Sequence, residues 1–214
     1  MRILFINPNA TASMTEKIAA AARAAAGPGT SILSATNRAG PPSIQGPADG
    51  AAAEPGLLAL ICEREGDADA IVIACFDDTG LERARALTLK PVIGIGEAAM
   101  RAAGAGGRPF SVVTTLSVSV PVIEDNVRVY GLTAACRRVR ASEVPVLALE
   151  EPGSTARETV AAEIAAALAE DRSGAIVLGC AGMADLADQF AARFGLPVLD
   201  GVVCAVKALE ARDG

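Results

Sequence analysis

Short β-branched apolar runs recur along the chain, and between them lie longer Ala-rich stretches whose apolar positions repeat at helical spacing. That alternation predicts βα units feeding a mostly parallel sheet. Strands are expected at about 2–6, 30–35, 70–74, 91–95, 109–114, 135–140, 174–178 and 197–199, with helices filling most of the intervals. The first helix is expected to begin after Thr11 or Ser13, since Glu16 stands three residues beyond Ser13 in capping-box spacing. One interval breaks the rhythm. Arg38 to Asp49 carries three prolines and two glycines, so it reads as loop, and loops of that length in compact domains usually serve function.

The pattern also repeats at long range. A-D-A-I-V-I-A-C-F-D-D-T-G-L (Ala68 to Leu81) matches S-G-A-I-V-L-G-C-A-G-M-A-D-L (Ser173 to Leu186), each a buried-strand run ending in a cysteine. The two cysteines are 105 residues apart (180 − 75), and each is followed by a helix and then by a second matching strand, Pro91-Val92-Ile93 against Pro197-Val198-Leu199. The strand after Arg2 aligns with the strand after Arg108 at nearly the same offset, 106 (108 − 2). Recurrence of one offset, near half the chain, implies an α/β fold of two pseudo-symmetric lobes. Each lobe would hold a mostly parallel sheet flanked by helices, with the active site in the cleft between them. The expected division is 1–97, completed by a C-terminal helix at 201–214, and 98–200.

Composition narrows the chemistry. A formal net charge of −6, with no basic run longer than Arg137-Arg138, argues against nucleic acid as a partner. No stretch of about 18 uninterrupted apolar residues occurs, and the opening apolar run is stopped at once by Asn7-Pro8, so neither a membrane span nor a signal peptide is expected. Five cysteines, Cys62, Cys75, Cys136, Cys180 and Cys204, form an odd, scattered set without C-x-x-C, which favours free thiols in the cytoplasm over disulfides or a zinc site. Histidine is absent altogether. Catalytic triads, Cys-His dyads and H-E-x-x-H metal helices are thereby excluded, and acid/base work falls to carboxylates, lysines, tyrosine or thiols.

Two of the five thiols stand out. Cys62, Cys136 and Cys204 read as packing residues, since two lie in helical patterns and one at a strand start. Cys75 and Cys180 sit at equivalent strand ends, where ligands of parallel sheets bind. Facing each other across a cleft, two thiols can take a proton from one side of a carbon and return one to the other. A helix amino terminus beside each would lower its pKa toward neutrality. Such chemistry needs no metal and no organic cofactor.

The segments I-N-P-N-A-T-A-S-M-T (Ile6 to Thr15), A-C-F-D-D (Ala74 to Asp78), V-I-G-I-G-E-A-A (Val92 to Ala99), S-V-V-T-T-L (Ser111 to Leu116), E-D-N-V (Glu124 to Val127), V-P-V-L-A-L-E (Val144 to Glu150) and V-L-G-C-A-G-M-A-D-L (Val177 to Leu186) resemble the hydantoin racemases of the aspartate/glutamate racemase superfamily. The resemblance spans nearly the whole chain. It implies cofactor independence, Cys75 and Cys180 as the acid/base pair, and interconversion of the enantiomers of 5-monosubstituted hydantoins. Allantoin racemases look much the same, allantoin being a 5-ureidohydantoin. Arg101 departs from the pattern, standing where many relatives have His. For a hydantoin ring, the backbone amides of Phe76, Asp77, Ala181 and Gly182 are the natural carbonyl donors, and Asn7, Asn9, Thr114 and Thr115 the side chains that can bind polar ring atoms. Ser43 and Ile44 are placed as a lid over the 5-substituent.

Rival readings remain at this level. Gly94-Ile95-Gly96-Glu97-Ala98-Ala99 fits a dinucleotide fingerprint, but Glu97 would stand where pyrophosphate should, and the strand is not the first of its unit. Asp77-Asp78 imitates a metal pair, yet adjacent side chains diverge, so helix capping is the better reading. Lys17, Lys90 and Lys207 lie in no Schiff-base context. A cysteine-dependent isomerase or decarboxylase of the same superfamily would need one thiol only, and a two-lobed binding protein for a small solute would need none. An Ala-rich helical surface allows a homo-oligomer.

Overall fold

Two four-stranded parallel sheets organise the chain, in strand orders β2-β1-β3-β4 and β6-β5-β7-β8. A computed structural model describes residues 1–151 and 154–213. The strands are β1 (Arg2–Asn7), β2 (Ser31–Thr36), β3 (Ala70–Ile73), β4 (Val92–Gly94), β5 (Phe110–Thr114), β6 (Cys136–Ala141), β7 (Ala175–Gly179) and β8 (Val198–Leu199). All eight lie within a residue or two of their expected positions, and the two orders are the same permutation, as the repeat requires. The middle strands β3, β5 and β7 are buried along their whole length because helices cover both sheet faces. Flanking strands β2 and β6 are only partly buried.

The helices are α1 (Ala12–Ala25), α2 (Pro47–Arg64), α3 (Leu81–Leu87), α4 (Ile95–Ala103), α5 (Val120–Val129), α6 (Ala156–Asp171), α7 (Ala187–Phe194) and α8 (Gly201–Asp213). Helix α1 buries Met14, Ile18 and Ala22, a stripe at helical spacing, against Ile3, Phe5 and Val72 of the first sheet. Val202, Ala205, Val206 and Leu209 of α8 join the same cluster, so the C-terminal helix packs on the first sheet. Gly214, included in the expected helix, lies outside the described residues. The expected boundary between 97 and 98 falls inside α4, whose Ala99, Met100 and Ala103 pack into a core continuous from Leu4, Ile6 and Ile71 to Phe110, Val112 and Val177. The two sheets therefore share buried surface, and each fully buried Ile or Phe there contributes roughly 1.5–3 kcal/mol by leaving water.

Three local expectations are corrected. The capping box of α1 does not form: its N-cap is Thr11, without a side-chain cap bond, because Thr11 Oγ1 donates instead to the Pro42 carbonyl at 2.6 Å. The Pro/Gly-rich stretch ends early, at Gly46, since Pro47 occupies the first turn of α2, where its missing N–H costs nothing. Cys62, read as a packing residue, is exposed on α2; Cys136 and Cys204 are half-buried.

Candidate active site

In each sheet the chain leaves a central pair of strands in opposite directions, β1 toward β2 and β3 toward β4, and likewise β5 toward β6 and β7 toward β8. A crevice opens at such a point beyond the carboxyl ends of the strands. The two crevices merge into one cleft lined by residues from both sheets' strand ends. Cys75 and Cys180 both line it, one after β3 and the other after β7. Of the other residues singled out in the sequence, Asn9, Ile44, Phe76, Asp77, Thr114, Thr115 and Ala181 line it too.

Asn7, Ser43 and Gly182 are not part of the lining, and local bonding explains two of the three. The Asn7 amide is spent within its own loop, its Nδ2 donating to Asn9 Oδ1 at 2.9 Å and to Thr15 Oγ1 at 3.0 Å, while its Oδ1 accepts from the Asn9 amide at 3.2 Å. Asn9 Oδ1 also accepts from the Thr11 amide at 2.9 Å, which fixes the side chain with its Nδ2 turned to Met14 Sδ, 3.1 Å away on the cleft wall. Asn7 thus orients Asn9. Gly182 donates its amide to Cys180 Sγ at 3.4 Å, and the Asp77 amide likewise bonds the Cys75 sulfur. Two of the four backbone amides expected to meet a carbonyl therefore serve the thiols. Thr114 Oγ1 donates to the Gly179 carbonyl at 2.8 Å, tying β5 to β7, so it caps no helix.

The loop carrying Cys75 is held by the motif that imitates a dinucleotide site. Asp78, at a left-handed φ of 51°, turns its buried carboxylate onto the amino terminus of α4, accepting from the Gly96 and Glu97 amides at 2.9 and 2.7 Å and from Tyr130 Oη at 2.6 Å. The place a pyrophosphate would take is filled by the protein's own anion. A Cβ on Gly94 would stand 2.0 Å from Asp78 Oδ1, and one on Gly96 would stand 2.3 Å from the Phe76 carbonyl, so both glycines exist to let this loop approach. Capping, the reading preferred for the Asp pair, is what Asp78 does. Arg101 bonds Glu97 at 2.8 Å and lies over the Tyr130 ring, 5.5 Å from its centroid, in support of the same helix.

Both cysteines are half-buried, open to the cleft but ringed by protein. No regular helix begins directly after Cys75; a turn leads to α3, and a single short 3-10 turn follows Cys180, so the expected lowering by a helix amino terminus is not what governs these thiols. Burial pushes both up, Cys180 to about 12, and the nearby Asp77 charge pushes in the same direction. Against this, Thr79 Oγ1 donates to Cys75 Sγ at 3.6 Å, and the Gly182 amide and Lys17 favour the Cys180 thiolate. The charge of Cys180 also makes Cys75 harder to ionise, through the repulsion of like charges. Burial raises Asp77 to about 6, and the hydroxyl of Ser119 partly offsets it.

Several contributors were not singled out in the sequence. Met14, Ser119, Val146 and Gly179 line the cleft, and Lys17 reaches across from α1 to Glu150 at 2.6 Å and to the Gly182 carbonyl at 3.4 Å. Val146 and Glu150 lie in the V-P-V-L-A-L-E segment, and Asn126, from E-D-N-V, donates to the Asp77 carbonyl at 3.0 Å. The loop before α2 reaches the cleft through Ile44. Its Pro41 carbonyl accepts from the Ala10 amide at 2.8 Å, and its Gln45 Oε1 accepts from the Val146 amide at 3.1 Å, so it bridges to the second sheet's side.

Residues 3–209 match the Asp/Glu/Hydantoin racemase family. The chain belongs to that family. A hydantoin racemase of Rhizobium meliloti is 50% identical over 214 residues, 99% of this chain and 88% of the relative, and one of a Pseudomonas strain is 40% identical over 211 residues, 98% of this chain and 85% of the relative. Among solved structures, an allantoin racemase from Klebsiella pneumoniae superposes with a TM-score of 0.94 at 48% identity, covering 99% of this chain and 86% of the other. Glutamate racemase from Francisella tularensis shares the fold, with a TM-score of 0.70 at 16% identity over 98% of this chain and 80% of the other.

Proposed function

We propose that the protein interconverts the enantiomers of 5-monosubstituted hydantoins, with Cys75 and Cys180 taking and returning the C5 proton. What supports this reading is that the two repeat-related thiols, one after β3 and the other after β7, line the same small cleft. In each direction one cysteine acts as thiolate base and the other as thiol acid, and the roles exchange for the other enantiomer. A thiolate whose pKa is raised by burial is hard to form but strongly basic once formed, which suits proton abstraction from carbon. The Gly182 and Asp77 amides and the Thr79 hydroxyl hold the sulfurs, while Asn9 Nδ2, the Phe76 and Ala181 amides and Thr115 are the donors available to the ring carbonyl where negative charge develops. Asn7 positions Asn9, Thr114 fixes the strand end, and Ile44, with Ser43 beside it, closes over the 5-substituent.

Residues 1–97 with the C-terminal helix would form one lobe and 98–200 the other, as a cytoplasmic enzyme of identical subunits that needs no cofactor. The likeness to allantoin racemases favours the ureido substituent as a second reading, since the same proton would move. Circular dichroism decay of enantiopure hydantoins bearing methyl, isobutyl, benzyl and ureido groups tests both readings. Decay of the ureido compound alone would assign allantoin, and persistence of all four signals would overturn the racemase reading.

A further inference from the structure

We propose that the Asp77 carboxylate selects substrate by charge, accepting an N–H from a neutral cyclic amide and turning away open-chain molecules that carry a carboxylate. This rests on the hydantoin reading and adds a selectivity determinant to it. Among the described residues lining the cleft, Asp77 is the one with a charged side chain. It is held across the cleft from the α5 side: Ser119 Oγ, just before α5, donates to Oδ2 at 3.1 Å, and Asn126, within α5, donates to the main-chain carbonyl at 3.0 Å. That leaves Oδ1 as the acceptor for a ligand. Lys17, the cation that acts on Cys180, lies outside the lining and is engaged by Glu150 at 2.6 Å. A bound carboxylate would therefore meet a like charge, with no cation among the described lining residues to compensate it.

A neutral ring fares differently. Its N–H neighbours the carbon that loses the proton, and a cleft that places C5 between two thiols brings that N–H to one wall. The negative charge of Asp77 weighs against ionisation of both cysteines. An N–H donated to Asp77 draws off part of that charge at the moment a thiolate is needed, so the substrate class that the carboxylate admits is also the one that eases the chemistry. The ring-opened counterpart of a hydantoin, an N-carbamoyl amino acid, has the same substituent and nearly the same polar groups but adds a carboxylate, and is the natural ligand to exclude.

The test compares the whole protein with its Asp77→Asn variant, which keeps the size of the side chain and an acceptor for Ser119. The readouts are KM for 5-isobutylhydantoin, inhibition by N-carbamoyl-leucine, and calorimetric binding of both, which does not depend on turnover. The proposal expects affinity for the hydantoin to fall roughly 10- to 100-fold, the worth of one hydrogen bond to a charged acceptor. Binding of N-carbamoyl-leucine should tighten by about 10-fold or more once the like charge is gone. A merely structural defect weakens both ligands together, so parallel loss, or no change in either, overturns the proposal. Ser119→Ala, which leaves the charge in place, should continue to exclude N-carbamoyl-leucine; loss of exclusion there counts against it. If unaltered protein fails to racemise any hydantoin, the racemase reading falls, and opposite shifts in calorimetric binding still decide the role of Asp77.

Discussion

Gly179, the last residue of β7, meets the Cys180 position from directly beneath it. A Cβ placed there would stand 2.8 Å from Thr114 Cα and Cβ and 3.1 Å from Thr114 N. Carbon atoms at rest approach to about 3.5–4.0 Å, so Gly179→Ala demands a displacement of roughly 0.7–1 Å, and the atoms in the way are backbone of the adjoining strand. The Thr114 hydroxyl bond to the Gly179 carbonyl, 2.8 Å, resists that separation. Overpacking of this kind costs roughly 1–3 kcal/mol, which for a chain of this size lowers the thermal midpoint by roughly 3–10 °C. The chemical cost should be larger, because a shift near 1 Å in a reacting group can lose about 100-fold in rate. Gly66 is the control: nothing lies within 4 Å of its added Cβ, so Gly66→Ala should leave stability within about 0.5 kcal/mol and the rate unchanged. Thermal melts and racemisation rates of the two variants check this. A Gly179→Ala protein with full rate and an unshifted midpoint would refute the claim that β5 and β7 set the position of Cys180.

Stability should fall as pH rises through the weakly acidic range. Burial lifts Asp78 to about 7 and Asp200 to about 6, so the folded chain keeps protons that the unfolded chain gives up near pH 4; the stability they add is complete below that pH and is lost as it passes through 6 and 7. Asp69, held down to about 2 by Arg2, loses its contribution only at still lower pH. Thermal midpoints between about pH 4.5 and about 7.5 should therefore decline, and a steady rise would contradict the assignment. Lys17→Met should cost no more than about 1 kcal/mol of stability, since the partly exposed Glu150 pair is screened, yet it should slow alkylation of Cys180 at fixed pH by withdrawing a cation that favours its thiolate. Peptide-resolved mass spectrometry after limited alkylation measures that, and unchanged Cys180 labelling would count against it.

The sheet framework was legible because both signals behind it are local and repeated: buried β-branched runs mark the strands, and one offset relates β1 to β5, β3 to β7 and β4 to β8. The cysteine pair followed from the same offset. What resisted reading was whatever depends on chain segments distant in sequence. Thr11 looks like a cap until the Pro42 carbonyl arrives from another loop, and Asn7 looks like a ligand until Asn9 and Thr15 are seen to occupy it. Gly94 and Gly96 resemble a phosphate cradle because closeness to any anion asks for glycine, and here the anion is Asp78. Ser119 and Lys17 gave no sign, since their importance comes only from the juxtaposition of the two sheets. The helix-terminus account of thiol acidity failed because neither cysteine opens a regular helix, while burial acts on both.

The central claim is that two thiols act on opposite faces of one carbon, and hydrogen exchange at C5 tests it most directly. Each enantiomer of a 5-substituted hydantoin, incubated in heavy water with unaltered protein, should gain deuterium at C5 as its optical signal decays. Cys75→Ala and Cys180→Ala should each abolish racemisation. If either variant still racemises at the unaltered rate, or if the signal decays in the wild type without deuterium entering C5, the two-thiol account is wrong.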